Sequence, residues 1–119
     1  MVLLSLAAND TVYILFPNLA QTGTRIRGGV SHEIPDKASR QNGFRIRVAT
    51  LPGRRKDTEV IKAIATKQEI ALPGGVDLSY GFGLMGTPRV AAIKLARWLT
   101  EIPPSERAEA SVMYTVTAE

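Results

Sequence analysis

The sequence has no cysteine among its 119 residues and a single histidine. The missing cysteine excludes a disulfide framework, a thiol nucleophile and every cysteine-ligated metal site, whereas it leaves the redox compartment open. The histidine, His32, lies between Ser31 and Glu33. Neither a second histidine nor a G-x-S-x-G elbow supports a Ser-His-Asp site, so a surface histidine is the simpler interpretation. No stretch approaches ~18 consecutive apolar residues, and no membrane span is predicted.

Length and composition indicate one globular domain. A chain of 119 residues with 45% hydrophobic and 22% charged residues can bury somewhat over ~60% of its unfolded surface. It lies far from the composition of disordered chains. The net charge of +4 is a mild positive bias that concerns anionic partners rather than the fold. We expect a single domain over residues 1–119, without a cofactor.

The N-terminal region is organised around residues 11–18, a β-branched and aromatic run that ends at Pro17 and Asn18. Such residues suit a strand, and proline cannot donate to a ladder, so the run predicts a strand ending in a turn. Residues 2–7 predict a second strand, joined to it as a hairpin through a turn at 8–10. The alternative for this segment, a signal peptide, lacks a positive residue before its apolar core.

Further strands follow at about ten-residue spacing. They are predicted at 25–27 and 30–34 around a glycine break, at 44–48, at 59–66 and at 111–118. At 59–66 the apolar residues also fit a helical spacing, but the high share of β-branched residues and the lack of a capping box favour a strand. Strict alternation should turn Phe44, Ile46 and Val48 to the core. We expect Ile14, Phe16 and Trp98 to lie in the same core. In the last strand, residues 112, 114 and 116 should share one face.

One helix is predicted over residues 88–101. Thr87 is a suitable N-cap and Pro88 suits the first helical position. Its apolar stripe is expected to contain Ile93, Ala96 and Leu99, extended by Val90, Ala92 and Leu95. With about seven strands, the pattern predicts a mainly β fold, an immunoglobulin-like β-sandwich with one helix before its final strand. A partly open barrel is the alternative architecture.

Residues 13–18 (YILFPN), 25–29 (RIRGG), 33–35 (EIP), 44–46 (FRI) and the strand at 59–66 resemble a bacterial family of domains of unknown function. That family is marked by a Leu-Phe-Pro-Asn strand end and a downstream Ile-Pro, and the resemblance covers about residues 3–72. It implies an immunoglobulin-like accessory module, C-terminal to caspase-like peptidase or kinase domains, often in an exported parent protein. A periplasmic or cell-surface location is implied in the same way. The family lends no catalytic residues.

A G-x-G-x-x-G pattern occupies residues 81–86, immediately before the helix. Glycine loops of this kind can bind phosphates at a helix N-terminus. The pattern normally follows the first strand of a βαβ unit, but here several strands precede it and too little chain follows. We therefore expect a flexible or tightly packed loop rather than a nucleotide site.

The basic residues are the best candidates for a binding function. Two of the predicted strands, 25–27 and 44–48, should each place two guanidiniums on one face. A basic turn should lie nearby. The candidate residues are Arg25, Arg27, Arg45, Arg47, Arg54 and Arg55, with Lys56 beside them. If the strands are neighbours, a ladder of arginines could bind a phosphate, sulfate or carboxylate polymer. The alternative is that the arginines protect sheet edges and aid solubility.

Three functions remain open. A non-catalytic interaction module, partnered by another protein domain of the same chain or complex, is favoured because composition, strand number and resemblance agree. A binder of anionic polymers or nucleic acid is second, although few aromatics accompany the arginines. A small enzyme is third, because the acidic residues are scattered without metal-ligand or paired-carboxylate spacing.

Overall fold

The computed structural model describes residues 1–23, 25–69 and 83–119. Within these ranges, five strands form one antiparallel sheet of order β4-β2-β1-β3-β5. The elements are β1 (Val2–Leu6), β2 (Val12–Phe16), α1 (Lys37–Gln41), β3 (Lys56–Thr66), β4 (Gly83–Gly86), α2 (Pro88–Thr100), a 3-10 turn (Pro104–Glu106) and β5 (Arg107–Thr117). The predicted mainly β class is confirmed.

The N-terminal hairpin is confirmed. Strands β1 and β2 pair antiparallel through a turn in which Asp10 adopts a positive φ of 57°. The Asn9 side chain accepts a hydrogen bond of 3.1 Å from the backbone N–H of Thr11. At the other end of β2, the fully buried Asn18 closes the predicted turn: its amide donates to the carbonyl of Leu15 at 2.8 Å and its oxygen accepts two backbone N–H groups.

One face of the sheet carries the core. Side chains of β1, β2, β3 and β4 pack there against α2, and the buried cluster consists of Val2, Leu4, Val12, Ile14, Ile64, Met85, Ala91, Trp98 and Ile102. Helix α2 begins as predicted, with Thr87 as N-cap accepting from the N–H of Val90 and Pro88 at the first position. At its other end, the guanidinium of Arg107 donates to the carbonyls of Leu99 and Ile102.

The predicted apolar stripe of α2 is confirmed for Leu95 and Leu99 and wrong for Val90 and Ile93. The helix turns Ala91 and Trp98 to the sheet, with Leu95 and Leu99 partly buried beside them, while Val90 and Ile93 are 43% and 50% exposed. This rotation buries the large Trp98 ring, which removes more apolar area from water than Ile93 would.

The strands predicted at 25–27, 30–34 and 44–48 are wrong, because these residues are outside the sheet. Local hydrogen bonds explain part of the difference. Asp36 caps α1 by accepting the N–H of Ser39 at 2.8 Å, and Arg45 folds back to donate to the carbonyls of Arg40 and Phe44. The described residues therefore contain one five-stranded sheet, without a second sheet opposite it.

The two longest strands, β3 and β5, form an eleven-residue antiparallel ribbon without a register shift. The predicted strand at 59–66 is confirmed and begins earlier, at Lys56. The last strand is also confirmed, but it begins at Arg107 rather than at residue 111. Val112, Tyr114 and Val116 share one face as predicted, and their burial decreases along the strand from Val116 (7% exposed) to Val112 (57% exposed).

Candidate binding groove

The second face of the sheet borders a groove of about 620 Å³. On the sheet side, Leu3, Leu15 and Ile61 line it, and on the other side Ile34, Ile46 and Val48 do so. Ile46 thus lies across the sheet from Ile14 and Trp98, so the prediction that they share one core is wrong. Residues of this chain cover the groove without filling it, and its lining is mostly apolar.

Three polar side chains from different strands meet beside the groove. The Tyr114 hydroxyl donates to Oε2 of Glu59 at 2.5 Å, and it also interacts with the Ser5 hydroxyl. The other carboxylate oxygen of Glu59 accepts the backbone N–H of Ala8 at 3.3 Å. Glu59 and Ser5 are only 9% and 6% exposed. None of the buried side-chain nitrogen or oxygen atoms of the described residues lacks a hydrogen-bond partner.

This environment raises the pKa of Tyr114 to about 12. Burial of the phenol is the largest cause, because a phenolate loses solvation there, and the hydrogen bond and negative charge of Glu59 add to it. The hydroxyl of Tyr114 therefore stays protonated at neutral pH and serves as a hydrogen-bond donor to Glu59.

The segment beside the groove is tied to β3 through Asp57, which is 4% exposed. Its carboxylate accepts the backbone N–H of Leu51 at 2.6 Å and pairs with the guanidinium of Arg54 at 2.9 Å. The Leu51 hydrogen bond first, and then that of Arg54, lower the pKa of Asp57. The basic turn that contains Arg54 is thus held against the start of β3.

The structure does not assemble the predicted arginine ladder, because Arg25, Arg27, Arg45 and Arg47 lie outside the strands. All six candidate arginines are exposed, but two are already engaged: Arg45 with backbone carbonyls and Arg54 with Asp57. Arg25 lines a smaller cleft beside Met1 and Lys67, whereas Arg47 lines the groove. The guanidiniums of Arg25, Arg27, Arg47 and Arg55 contact no acidic side chain of the described residues.

The glycine pattern at 81–86 is only partly described, since Gly81 and Phe82 lie outside the described residues. Gly83–Gly86 forms β4, paired with β2, so the prediction of a loop is wrong for these four residues. Met85 between the glycines is fully buried. These four residues thus serve sheet pairing and core packing.

The other chemical candidates are on the surface. His32 is exposed, with Nε2 at 2.7 Å from the carbonyl of Arg27. In the part of the chain that the structure describes, no group of three or more His, Asp or Glu side chains is placed to hold a metal ion. Among those same residues, no helix has the length and apolar character needed to cross a membrane.

The free edge of β5 is the second candidate site. Ala118 donates its N–H to the carbonyl of Arg55, and Lys67 donates to that of Glu106, both at 2.9 Å. Each bond joins two residues directly opposite one another at an end of the β3–β5 ribbon. Because hydrogen-bonded pairs alternate along an antiparallel ladder, the even-numbered residues of β5 are the ones that bond to β3. The N–H and C=O groups of Glu109, Ser111, Met113, Thr115 and Thr117 therefore point away from the sheet.

The groove and the Glu59–Tyr114 pair were missed by the sequence analysis. Glu59 and Tyr114 are 55 residues apart, and nothing local links a carboxylate in one strand to a phenol in another. The sequence indicates the alternation of β5 and its lack of proline. It does not indicate that β5 lies at the edge of the sheet.

Comparison of the chain with protein-family models, curated proteins and solved structures finds no match. Its function is therefore argued from the geometry of the groove and of the β5 edge.

Proposed function

We propose that the chain is a non-catalytic interaction module of a larger bacterial protein. In this proposal β5 pairs with an extended segment of another protein domain, from the same polypeptide or the same complex. The resemblance to an accessory-domain family supports the modular role. The family's immunoglobulin-like sandwich of about seven strands is part of the proposal.

The observation that carries the proposal is the unprotected edge of β5. Proteins commonly protect edge strands with proline, lysine, bulges or a covering element. From Ala108 to Thr117 the edge contains no proline or basic residue, and its ladder with β3 has no bulge. Its one charged side chain, Glu109, lies 3.7 Å from the ammonium of Lys62.

Exposed apolar side chains flank these free backbone groups. Met113 is 70% exposed and Val112 57% exposed, on opposite faces of the ribbon. An added strand would gain main-chain hydrogen bonds from the edge and apolar contacts on both sides. That combination is the way β-augmentation obtains affinity and specificity.

The full reading frame of the gene gives the first test. We expect it to encode a further domain, and a frame containing these 119 residues alone would overturn the modular role. The second test is amide hydrogen exchange of β5 with and without that domain. The outward amides of Ser111, Met113 and Thr115 should become protected in the complex.

Proline substitution separates backbone pairing from side-chain contact. Met113→Pro removes an outward N–H and should leave the fold intact, because proline is tolerated at sheet edges, yet it should abolish the protection. Met113→Lys keeps the N–H and should retain it in part. Val112→Pro removes an N–H directed at β3 and should destabilise the domain by about 1–3 kcal/mol. Unchanged binding by Met113→Pro would show that β5 is not the interface.

A second candidate function is binding of an anionic polymer. It is favoured by the four exposed guanidiniums, of Arg25, Arg27, Arg47 and Arg55, that contact no acidic group of the described residues. On heparin resin the wild type should elute well above about 0.15 M salt, and an Arg27→Ser, Arg47→Ser double variant should elute earlier. Arg54→Ser is the control, because that guanidinium is paired with Asp57. Passage of the wild type at 0.1 M salt would exclude this function.

A further inference from the structure

The groove has the properties of a small-molecule site. Its volume of about 620 Å³ lies within the ~300–1,000 Å³ range of ligand pockets. Its walls are apolar on both sides: Leu3, Leu15 and Ile61 belong to the sheet, and Ile34 and Ile46 to the segment opposite. Since transfer of apolar surface out of water is favourable, such walls select an apolar body.

The polar groups beside the groove determine what else a ligand would carry. Glu59 already accepts hydrogen bonds from Tyr114 and Ala8, so its carboxylate is satisfied and would repel an anion placed near it. Arg47 is different. The residue lines the groove and is exposed, and its guanidinium makes no hydrogen bond or ion pair with the described residues. The available polar contact is therefore a cation with five N–H donors, which suits a carboxylate-like group.

We propose that the groove binds a small amphiphilic anion, whose acyl chain or ring system lies between Leu15, Ile61 and Ile46 and whose single carboxylate contacts Arg47. This site goes beyond pairing through β5 and does not depend on it, because it uses side chains of the second sheet face instead of the free backbone edge. The charge of Arg47 selects an anionic ligand, because a cationic or neutral amphiphile would leave its guanidinium without a partner.

Calorimetric titration with decanoate, below its micellar concentration, tests the site. We expect a dissociation constant below about 1 mM and weaker binding of decyltrimethylammonium, which has the same chain with the opposite charge. Arg47→Gln should weaken decanoate binding about tenfold or more, because it removes a charge-assisted contact. Arg27→Gln is the matched control: it removes the same charge from a residue that does not line the groove, and should change the affinity less than twofold.

Ile46→Ser tests the apolar wall without altering the sheet, and should weaken decanoate and decyltrimethylammonium alike. The site is refuted by the absence of binding at 1 mM decanoate, by equal affinity for the two head groups, or by equal effects of Arg47→Gln and Arg27→Gln. Concentration-dependent self-association in sedimentation experiments that Ile46→Ser weakens and Met113→Pro does not would instead assign the groove to a second copy of the chain and also refute it.

Discussion

Replacement of Tyr114 by phenylalanine removes a single oxygen atom beside the groove. In the wild type, that hydroxyl donates to the carboxylate of Glu59 at 2.5 Å. Without it, the carboxylate keeps the longer bond of 3.3 Å from the N–H of Ala8 while remaining 9% exposed. A hydrogen bond to a charged group contributes about 1.5–3 kcal/mol. We expect Tyr114→Phe to lower the free energy of unfolding at pH 7 by that amount.

The raised pKa of Tyr114 gives a separate prediction, for stability at high pH. The phenol ionises near pH 10 in the unfolded chain and at about 12 in the folded protein. A group whose pKa is higher in the folded state stabilises the fold fully below its unfolded pKa, and this stabilisation is lost as the pH rises through the folded pKa. The wild type should therefore lose stability between about pH 10 and 12.

Urea denaturation at pH 7 and a phenolate absorbance titration measure the two effects. One tyrosine of the wild type should ionise near 12, and that step should be missing in Tyr114→Phe. Tyr13→Phe is the control, because its hydroxyl only accepts a bond of 3.1 Å from the exposed Asn9 amide; it should change stability by less than about 0.5 kcal/mol. Equal effects of the two substitutions, or a titration without a late step, would refute the buried pair.

Three further substitutions test other parts of the structure. Phe16→Ala removes a side chain that is 3% exposed and should cost about 3–5 kcal/mol; a loss below 1 kcal/mol in urea denaturation would contradict its core position. Gly86→Ala places a methyl group at φ +96° and 3.3 Å from Val90, so we expect a loss of about 1–3 kcal/mol by the same measurement. The lowered pKa of Asp57 stabilises the fold fully above about pH 4, and this is lost as the pH falls through the folded pKa. Acid unfolding should thus be steeper for the wild type than for Asp57→Asn, and parallel acid curves would contradict the bond from Leu51.

The secondary-structure elements that are determined by residues close in the sequence could be predicted. The hairpin follows from two β-prone runs around a short turn, in which Asn9 bonds to the backbone two residues on. Helix α2 follows from Thr87 and Pro88, which satisfy its N-terminus locally. The β3 strand follows from its high share of β-branched residues. The alternation of β5 follows from a period-two pattern that needs no knowledge of the partner strand.

Other features depended on contacts between distant residues. Residues 44–48 alternate as a strand does, yet no strand of the sheet pairs with them, and Arg45 instead bonds to the backbone next to α1. The face of α2 that is buried was decided by Trp98 and by the shape of the sheet beneath it. The arginine ladder failed because it assumed neighbouring strands.

The sequence by itself determined a mainly β chain, its N-terminal hairpin, one capped helix and the exclusion of all cysteine chemistry. Only the tertiary structure decided that β5 lies at the edge, that Glu59 meets Tyr114, and that Arg47 lines an apolar groove. Local preferences set the conformation of each segment within a few residues. The order of strands in a sheet and the groups that meet on its faces are set by burial and pairing across the whole chain, which a linear pattern does not contain.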